Sequence, residues 1–255
     1  MRAYVAFIAG LIFSGVSNHS LAQQISPVDV EQELPFKKII FKVLDPKSGE
    51  ELAWGEETIE CREKILKKST QYYQPGAAKK VIQTESSIAN LENLQVKEYK
   101  FSNDSTGERV ELTMPQPPVA DLVYVEKPNK AAERSQYKWT DRTIIGKTLH
   151  HYIVRKWNDI IRDNEPDFDL FVPMKRDYFG FRLRKERETK FRGQLAQVIS
   201  LEPKNWAIRK LVPRMHFHYV VINGIPQLVH YEGATTVAIN GDETREVAID
   251  FNYER

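Results

Sequence analysis

Three of the chain's six histidines fall in one short stretch, "RMHFHYVVINGIPQLVHYEG", Arg214–Gly233. Imidazole is the commonest metal-binding side chain and titrates near neutral pH, so this stretch is the first place to look for chemistry. His216 and His218 stand two residues apart, a spacing that points both side chains to one face of a β-strand. His230 returns after Asn223-Gly224, a pair that favours a two-residue hairpin turn. With that turn Ile222 pairs with Ile225, and His216 then faces Tyr231, His218 faces Val229 and His230 faces Phe217. Directly opposite residues share a face, so His230 is expected on the side away from the other two. A four-residue loop gives the same result; only an odd loop would set His218 against His230. No cysteine or carboxylate at zinc-ligand spacing supports a site on His216 and His218 alone, so no metal is expected.

The other reactive residues are equally isolated. Cys61 in "TIECREK" has no base beside it in sequence and reads as a half-buried strand residue. His150 and His151 are adjacent, whereas a zinc-protease helix spaces its histidines one turn apart with a glutamate between. Asp167 and Asp169 in "PDFD" read as a helix-to-strand loop rather than a general acid and base. No nucleophile elbow, phosphate loop or dinucleotide fingerprint occurs. No catalytic residue and no cofactor is therefore expected.

The elements that must position these residues are mostly strands. In "FKKIIFKVLD", Ile39, Phe41 and Val43 alternate with Lys38 and Lys42, which is the period of a one-sided strand. The segment "IECREKILKKSTQYYQPG" and the segment "KVIQTESSIANLENLQVKEYKF" read as further strands, and Asn103–Gly107 as a hairpin turn. Met114–Lys130, Pro-rich at both ends, is read as a connection within one architecture, with residues 115–130 the one place a subdivision would fall. From Thr148 the period changes. Leu149, Ile153, Trp157, Ile160 and Ile161 form one stripe, which predicts a long amphipathic helix over Thr148–Asn164 with Thr148 as its N-cap. Strands resume at "DLFVPM". Phe191-Arg192-Gly193 is expected as a three-residue hairpin loop that pairs Leu183 with Leu201 and Thr189 with Leu195. Val237, Ile239, Val247, Ile249 and Phe251 suggest a last hairpin turning at Asn240-Gly241.

The N-terminus is expected to be a cleaved secretory signal over residues 1–22. Arg2 supplies the positive start, Tyr4–Phe13 the apolar run, and Ser20 and Ala22 the small residues of a cleavage site. That apolar run is about half the ~20 residues a spanning helix needs, and no later segment qualifies. The mature chain, residues 23–255, is thus expected to be a single exported domain, periplasmic or extracellular, that does not span a membrane. Cys61 is the only cysteine, so stability must come from core burial.

The net charge is +2, which gives no reason to expect nucleic acid as a partner. It is unevenly spread. Residues 174–214 hold twelve Lys/Arg against four Asp/Glu, a net +8, which leaves −6 for the rest. Phe179, Phe181 and Leu183 alternate with Arg182 and Arg184 here, so much of the block reads as the wet face of an antiparallel sheet. The functional alternative is a face of Arg182, Arg184 and Arg187 that docks an anionic partner.

The run "LHHYIVRKWNDI", then "FDLFVPMKRDYFGFRL", then "LVHYEGATTVAI" resembles a family of uncharacterised secreted bacterial β-rich proteins, over roughly Gly146 to Tyr253. The resemblance implies a helix among antiparallel strands and brings no activity with it. The architecture is also similar to that of curved-sheet periplasmic proteins that handle lipoproteins or lipids. The expected fold is mainly β (α+β): a large antiparallel, curved sheet or open barrel with the long helix packed across or plugging its concave side. The expected role is a non-enzymatic envelope protein that holds a lipid or other amphipathic molecule between sheet and helix. Trp157, Phe179, Phe181, His216, His218 and Tyr231 are the residues expected to face it. The alternative is an adaptor for an envelope protein, and a hydrolase or metal enzyme ranks last.

Overall fold

The computed structural model describes residues 38–76, 79–211, 214–235 and 245–254. The expected signal segment, the lead-in that follows it, and the turn at Asn240-Gly241 with Val237 and Ile239 lie outside the described residues.

Among the described residues, fifteen strands follow one another, interrupted by a short helical insert and one further short helix. They are β1 (Lys38–Leu44), β2 (Glu51–Arg62), β3 (Ile65–Tyr73), β4 (Val81–Asn90), β5 (Val96–Asn103), β6 (Arg109–Gln116), β7 (Val119–Val125) and β8 (Glu133–Lys138). Then come β9 (Thr143–Ile144), α1 (Gly146–Arg155), α2 (Trp157–Ile161), β10 (Asp167–Val172), β11 (Asp177–Phe191) and β12 (Gln194–Pro203). The chain ends with α3 (Trp206–Leu211), β13 (Met215–Ile222), β14 (Ile225–Thr235) and β15 (Arg245–Glu254). The alternation that predicted strands is visible in the burial. In β6, Val110, Leu112 and Met114 are buried, and the residues between them are exposed.

Hairpin geometry follows from local residue choice. Glu63-Lys64, Arg192-Gly193 and Asn223-Gly224 all have both residues at positive φ. That is the turn whose twist matches paired strands, and glycine adopts it without a Cβ clash. The β11–β12 loop is accordingly two residues long, not three. Leu183 pairs with Leu201 as expected, but a bulge at Glu186 shifts the rest, so Thr189 meets Ala196. The Pro-rich stretch holds the Pro117-Pro118 turn between β6 and β7, β7 itself and the turn that follows, and the sheet continues through it.

All strands join one sheet in the order β8-β7-β6-β5-β4-β3-β2-β1-β15-β14-β13-β12-β11-β10-β9. Every pairing is antiparallel except β9 with β10. The two edge strands, β8 and β9, are consecutive in the chain and joined only by residues 139–142. The ends of the sheet must therefore come together, and they do. Tyr178 donates its hydroxyl to the Lys138 carbonyl at 2.9 Å, Arg176 pairs with Glu133, and Tyr137 packs on Phe171 at 4.8 Å. The result is a curled, open, barrel-like sheet.

The helical insert fills its concave side. Lys147 of α1 reaches Glu57 on β2, Thr70 on β3 and Glu85 on β4. His150 stacks on Tyr219 of β13, and Trp157 of α2 packs on the same ring at 5.5 Å. These strands lie on both sides of the β1–β15 pairing, so the sheet wraps around the insert. The single long helix expected here is not found. Lys156, at ψ 7°, leaves the helical range of about −42° and breaks the segment into α1 and α2. The helix also begins at Gly146. Thr148 is the third helical residue, and its hydroxyl accepts the Ile145 N–H at 3.3 Å. The apolar stripe survives the break: Leu149, Ile153, Trp157 and Ile160 are all buried.

Candidate functional site

Inside the barrel, the residues that could do chemistry are committed to structure. Glu57, Lys68, Thr70 and Glu85 sit on inward positions of β2–β4. Lys147 comes down from α1, 2.8 Å from Glu57 and 3.3 Å from Glu85. Lys68 lies 3.0 Å from the other Glu57 oxygen, and Tyr99 donates to Glu85 at 2.9 Å. Burial alone would raise the Glu57 pKa, but the Lys147 and Lys68 ammonium groups overcome it and hold the carboxyl well below its usual range. Burial opposes the charge on Lys147 too, and Glu57 and Glu85 more than restore it. His150 is pushed down to about 3 by burial and by Lys68, and His151 is driven down for the same reasons. Both imidazoles are therefore neutral at pH 7, and His150 Nδ1 lies 3.0 Å from the Tyr219 hydroxyl. Two glutamates and two lysines balance to zero charge, the condition under which ions tolerate burial.

On the outer face, the structure assembles what the sequence pattern separated. The Asn223-Gly224 turn sets the expected register as far as Tyr219 opposite Leu228. A bulge then intervenes at Val229, so His218 faces His230, Phe217 faces Tyr231 and His216 faces Glu232. The expectation that His230 lies on the other face is corrected: His216, His218, His230 and Glu232 share one face. The driving term is the core. With the bulge, Phe217 and Tyr231 both turn inward against the helix-side cluster; without it, His230 would enter beside Phe217.

The patch has defined geometry. The His218 and His230 rings are perpendicular, with centroids 4.9 Å apart. His230 Nδ1 lies 2.6 Å from Asp250 Oδ1 on β15; the carboxylate can only accept, so Nδ1 donates. His230 Nε2 hydrogen-bonds to Glu232 Oε1 at 3.3 Å, and that carboxylate too can only accept. His218 Nε2 lies 3.9 Å from Glu232 Oε2. His216 Nε2 lies 2.9 Å from Glu186 Oε2, out of line for a hydrogen bond. The His218 side chain is 9% exposed, yet neither ring nitrogen has a hydrogen-bond partner. Burial, the neighbouring His230 and Arg187 lower its pKa to about 4 against the pull of Glu232.

The cover over this face comes from the β11–β12 tip. Phe191 lies against His230 at 5.4 Å, and Arg192 binds Asp250 at 3.1 Å and Asn252 at 2.8 Å. Those targets are on β14 and β15, so the tip folds across the outer face of β13. Ala196, Val220 and Val229 form an apolar cluster with Phe191 and Ile222 beside the histidines.

The residues expected to face a ligand divide between two places. Trp157, Phe179, Phe181 and Tyr231 belong to the interior cluster around the helix. His216 and His218 lie outside, because adjacent strand positions point to opposite faces. Interior aromatics pack directly on the helix, with Tyr152 on Phe168 at 4.8 Å and Trp157 on Tyr219, where a ligand between sheet and helix was expected. The basic face is largely neutralised from within. Arg182 pairs with Glu165 and Glu202, Arg184 with Glu165, and Arg187 with Glu186. Asp167 is held by Arg142 and Lys204, and Cys61 packs with Ile39, Ile59 and Leu66. Among the described residues, no helix is long and apolar enough to cross a membrane.

No family model and no curated protein matches the chain. Solved structures do. A β-barrel-like protein of the domain of unknown function DUF1849 from Brucella abortus is 9% identical, covering 86% of this chain and 97% of its own, with a TM-score of 0.48. A DUF1329 family protein from Desulfovibrio piger is 8% identical over 88% of this chain and 87% of its own, with a TM-score of 0.27. A porin-like protein from Bacteroides uniformis is 11% identical over 87% and 98%, with a TM-score of 0.22.

Proposed function

We propose that the chain is an exported, non-enzymatic binding protein. Its barrel is a helix-filled scaffold, and it holds a small ligand on the outer face of β13 and β14. One observation carries this reading: the nine-tenths-buried imidazole of His218 has no hydrogen-bond partner and stands opposite His230 and Glu232. A buried polar group left unpaired costs about 1–3 kcal/mol, and a ligand that satisfies it recovers that cost. The interior is the poorer place for a ligand, because helix and sheet already touch there. Export rests on the N-terminal pattern of residues 1–22.

The reading is tested with protein carrying 15N-labelled histidine. Adding the low-molecular-weight fraction of an envelope extract should move the His218 and His230 ring signals and leave those of His150 and His151 in place. No change at His218 and His230 defeats the reading. Export is tested separately by the intact mass of protein recovered from cells, which should begin at Gln23; a chain that keeps residues 1–22 defeats that part.

A further inference from the structure

We propose that His218 Nε2, His230 Nε2 and the Glu232 carboxylate together hold one divalent transition-metal ion of the zinc class. The inference rests on the binding reading above and names the ligand. The donor atoms of the three residues all lie within 4.8 Å of one another. Bonds of 2.0–2.1 Å to a tetrahedral ion require donors about 3.4 Å apart. The His230 Nε2–Glu232 Oε1 distance already meets this at 3.3 Å, and His218 Nε2, 3.9 Å from the other Glu232 oxygen, must come closer by a side-chain rotation. Two imidazoles and one carboxylate are a donor set that suits zinc and its neighbours.

Two further observations point to an ion rather than to a hydrogen-bonded polar patch. The first is His218, buried and unpartnered at both nitrogens, which has no structural role that its polarity serves. The second lies behind His230. Metal-bound histidines characteristically donate their other N–H to a carboxylate, which fixes the tautomer and raises ligand basicity. Asp250 does this at 2.6 Å and is itself anchored by Arg192 at 3.1 Å. The His230 nitrogen aimed at Glu232 is the one left for an ion, which would take the place of the proton it shares with that carboxylate. Glu186 and Asp250 flank the site, each paired with an arginine, Arg187 and Arg192, and the apolar cluster of Ala196, Val220 and Val229 limits water on one side. His216, 3.9 Å from Glu232, flanks the open position.

The test uses the chain purified without a polyhistidine tag and stripped with a chelator. Titration with Zn2+ should give one equivalent bound, and Co2+ should give the visible spectrum of a low-symmetry, nitrogen- and oxygen-ligated site. His218→Ala, His230→Ala and Glu232→Gln should each weaken binding by at least about 100-fold. Asp250→Asn, which acts only through His230, should weaken it by about 10–100-fold. Circular dichroism and thermal unfolding of each variant without metal separate lost ligands from lost fold. If an intact, folded chain takes up no Zn2+, the metal inference is overturned. If uptake is the same in His218→Ala/His230→Ala, it is overturned too. Should Zn2+ fail while extract still moves the His218 and His230 signals, only the metal falls; should neither act, the binding reading falls with it.

Discussion

Lys147 Nζ lies 2.8 Å from Glu57 Oε2, a contact between α1 and β2 that spans 90 residues of sequence. It fastens the insert to the far wall of the barrel. Removing one partner of a buried ion pair leaves an uncompensated charge, at a typical cost of about 3–5 kcal/mol. Lys147→Met should destabilise the chain by that amount in urea unfolding. Adding Glu85→Gln should restore part of it, because Glu57 keeps Lys68 while Glu85 no longer needs a cation. A Lys147→Met variant as stable as the parent would show that the pair does not anchor the insert.

His150 makes stability depend on pH. In the unfolded chain it titrates near 6.5; in the fold, burial and Lys68, opposed by Glu57, lower this to about 3. Above pH 6.5 neither state carries the proton, and the full contribution is present. Between pH 6.5 and about 3 only the unfolded chain takes it up, so stability falls by about 1.4 kcal/mol per pH unit. His151 shifts in the same direction. Removing His150 alone, as His150→Gln, should reduce the loss between pH 7 and 4.5 by about 2–3 kcal/mol. Equal acid sensitivity of parent and variant, read from urea midpoints, would contradict the assignment.

Gly55 is fixed by close approach. A Cβ there would lie 2.3 Å from Phe41 Cζ and 2.7 Å from the Gln71 carbonyl oxygen. The Phe41 ring crosses the glycine on the neighbouring strand and stacks edge-on against Tyr72 at 5.2 Å. The carbonyl is backbone and cannot swing away. Gly55→Ala should therefore cost about 1–3 kcal/mol by overpacking, measured as a lower urea midpoint. Gly55→Ala/Phe41→Leu should recover only the part owed to the ring.

The proton on His230 Nδ1 is a readable consequence of Asp250. Long-range 15N–1H correlation on the metal-free chain should show a proton held on Nδ1. In Asp250→Ala that hold should weaken. A parent whose Nδ1 carries no proton would mean that the 2.6 Å contact does not hold it there.

Strand character was legible because one face of each strand is apolar. Ile39, Phe41 and Val43 face inward as the alternation required. Local turn chemistry was legible too: Asn223-Gly224 makes the turn that it favours. The bulge at Val229 was not, because a turn fixes register only until something else prefers another. The clue lay in the inward demand of Phe217 and Tyr231, which compete with His230 for the core. The break at Lys156 escaped for a similar reason: Trp157 and Ile160 keep the stripe across it. The interior ion cluster joins residues far apart in the chain, and no local pattern links Lys147 to Glu57 or Glu85. The neutralised arginines escaped because Glu165, which binds both Arg182 and Arg184, precedes the strand that it serves.

Among the described residues, every strand pairing but one joins neighbours in the chain; the exception is β1 with β15, closed over seven residue pairs from Lys38↔Glu254 to Leu44↔Ala248. Two zigzags, β1–β8 and β9–β15, can thus each assemble from short-range steps, and the β1–β15 seam is where distant ends must find each other. That search is the slow, entropy-limited event in building such a sheet. Until it is finished, two long open edges stand exposed. The seam is consequently the place where one chain's β1 can be captured by another's β15, and late folding, rather than the finished barrel, is when this chain is most exposed to strand exchange.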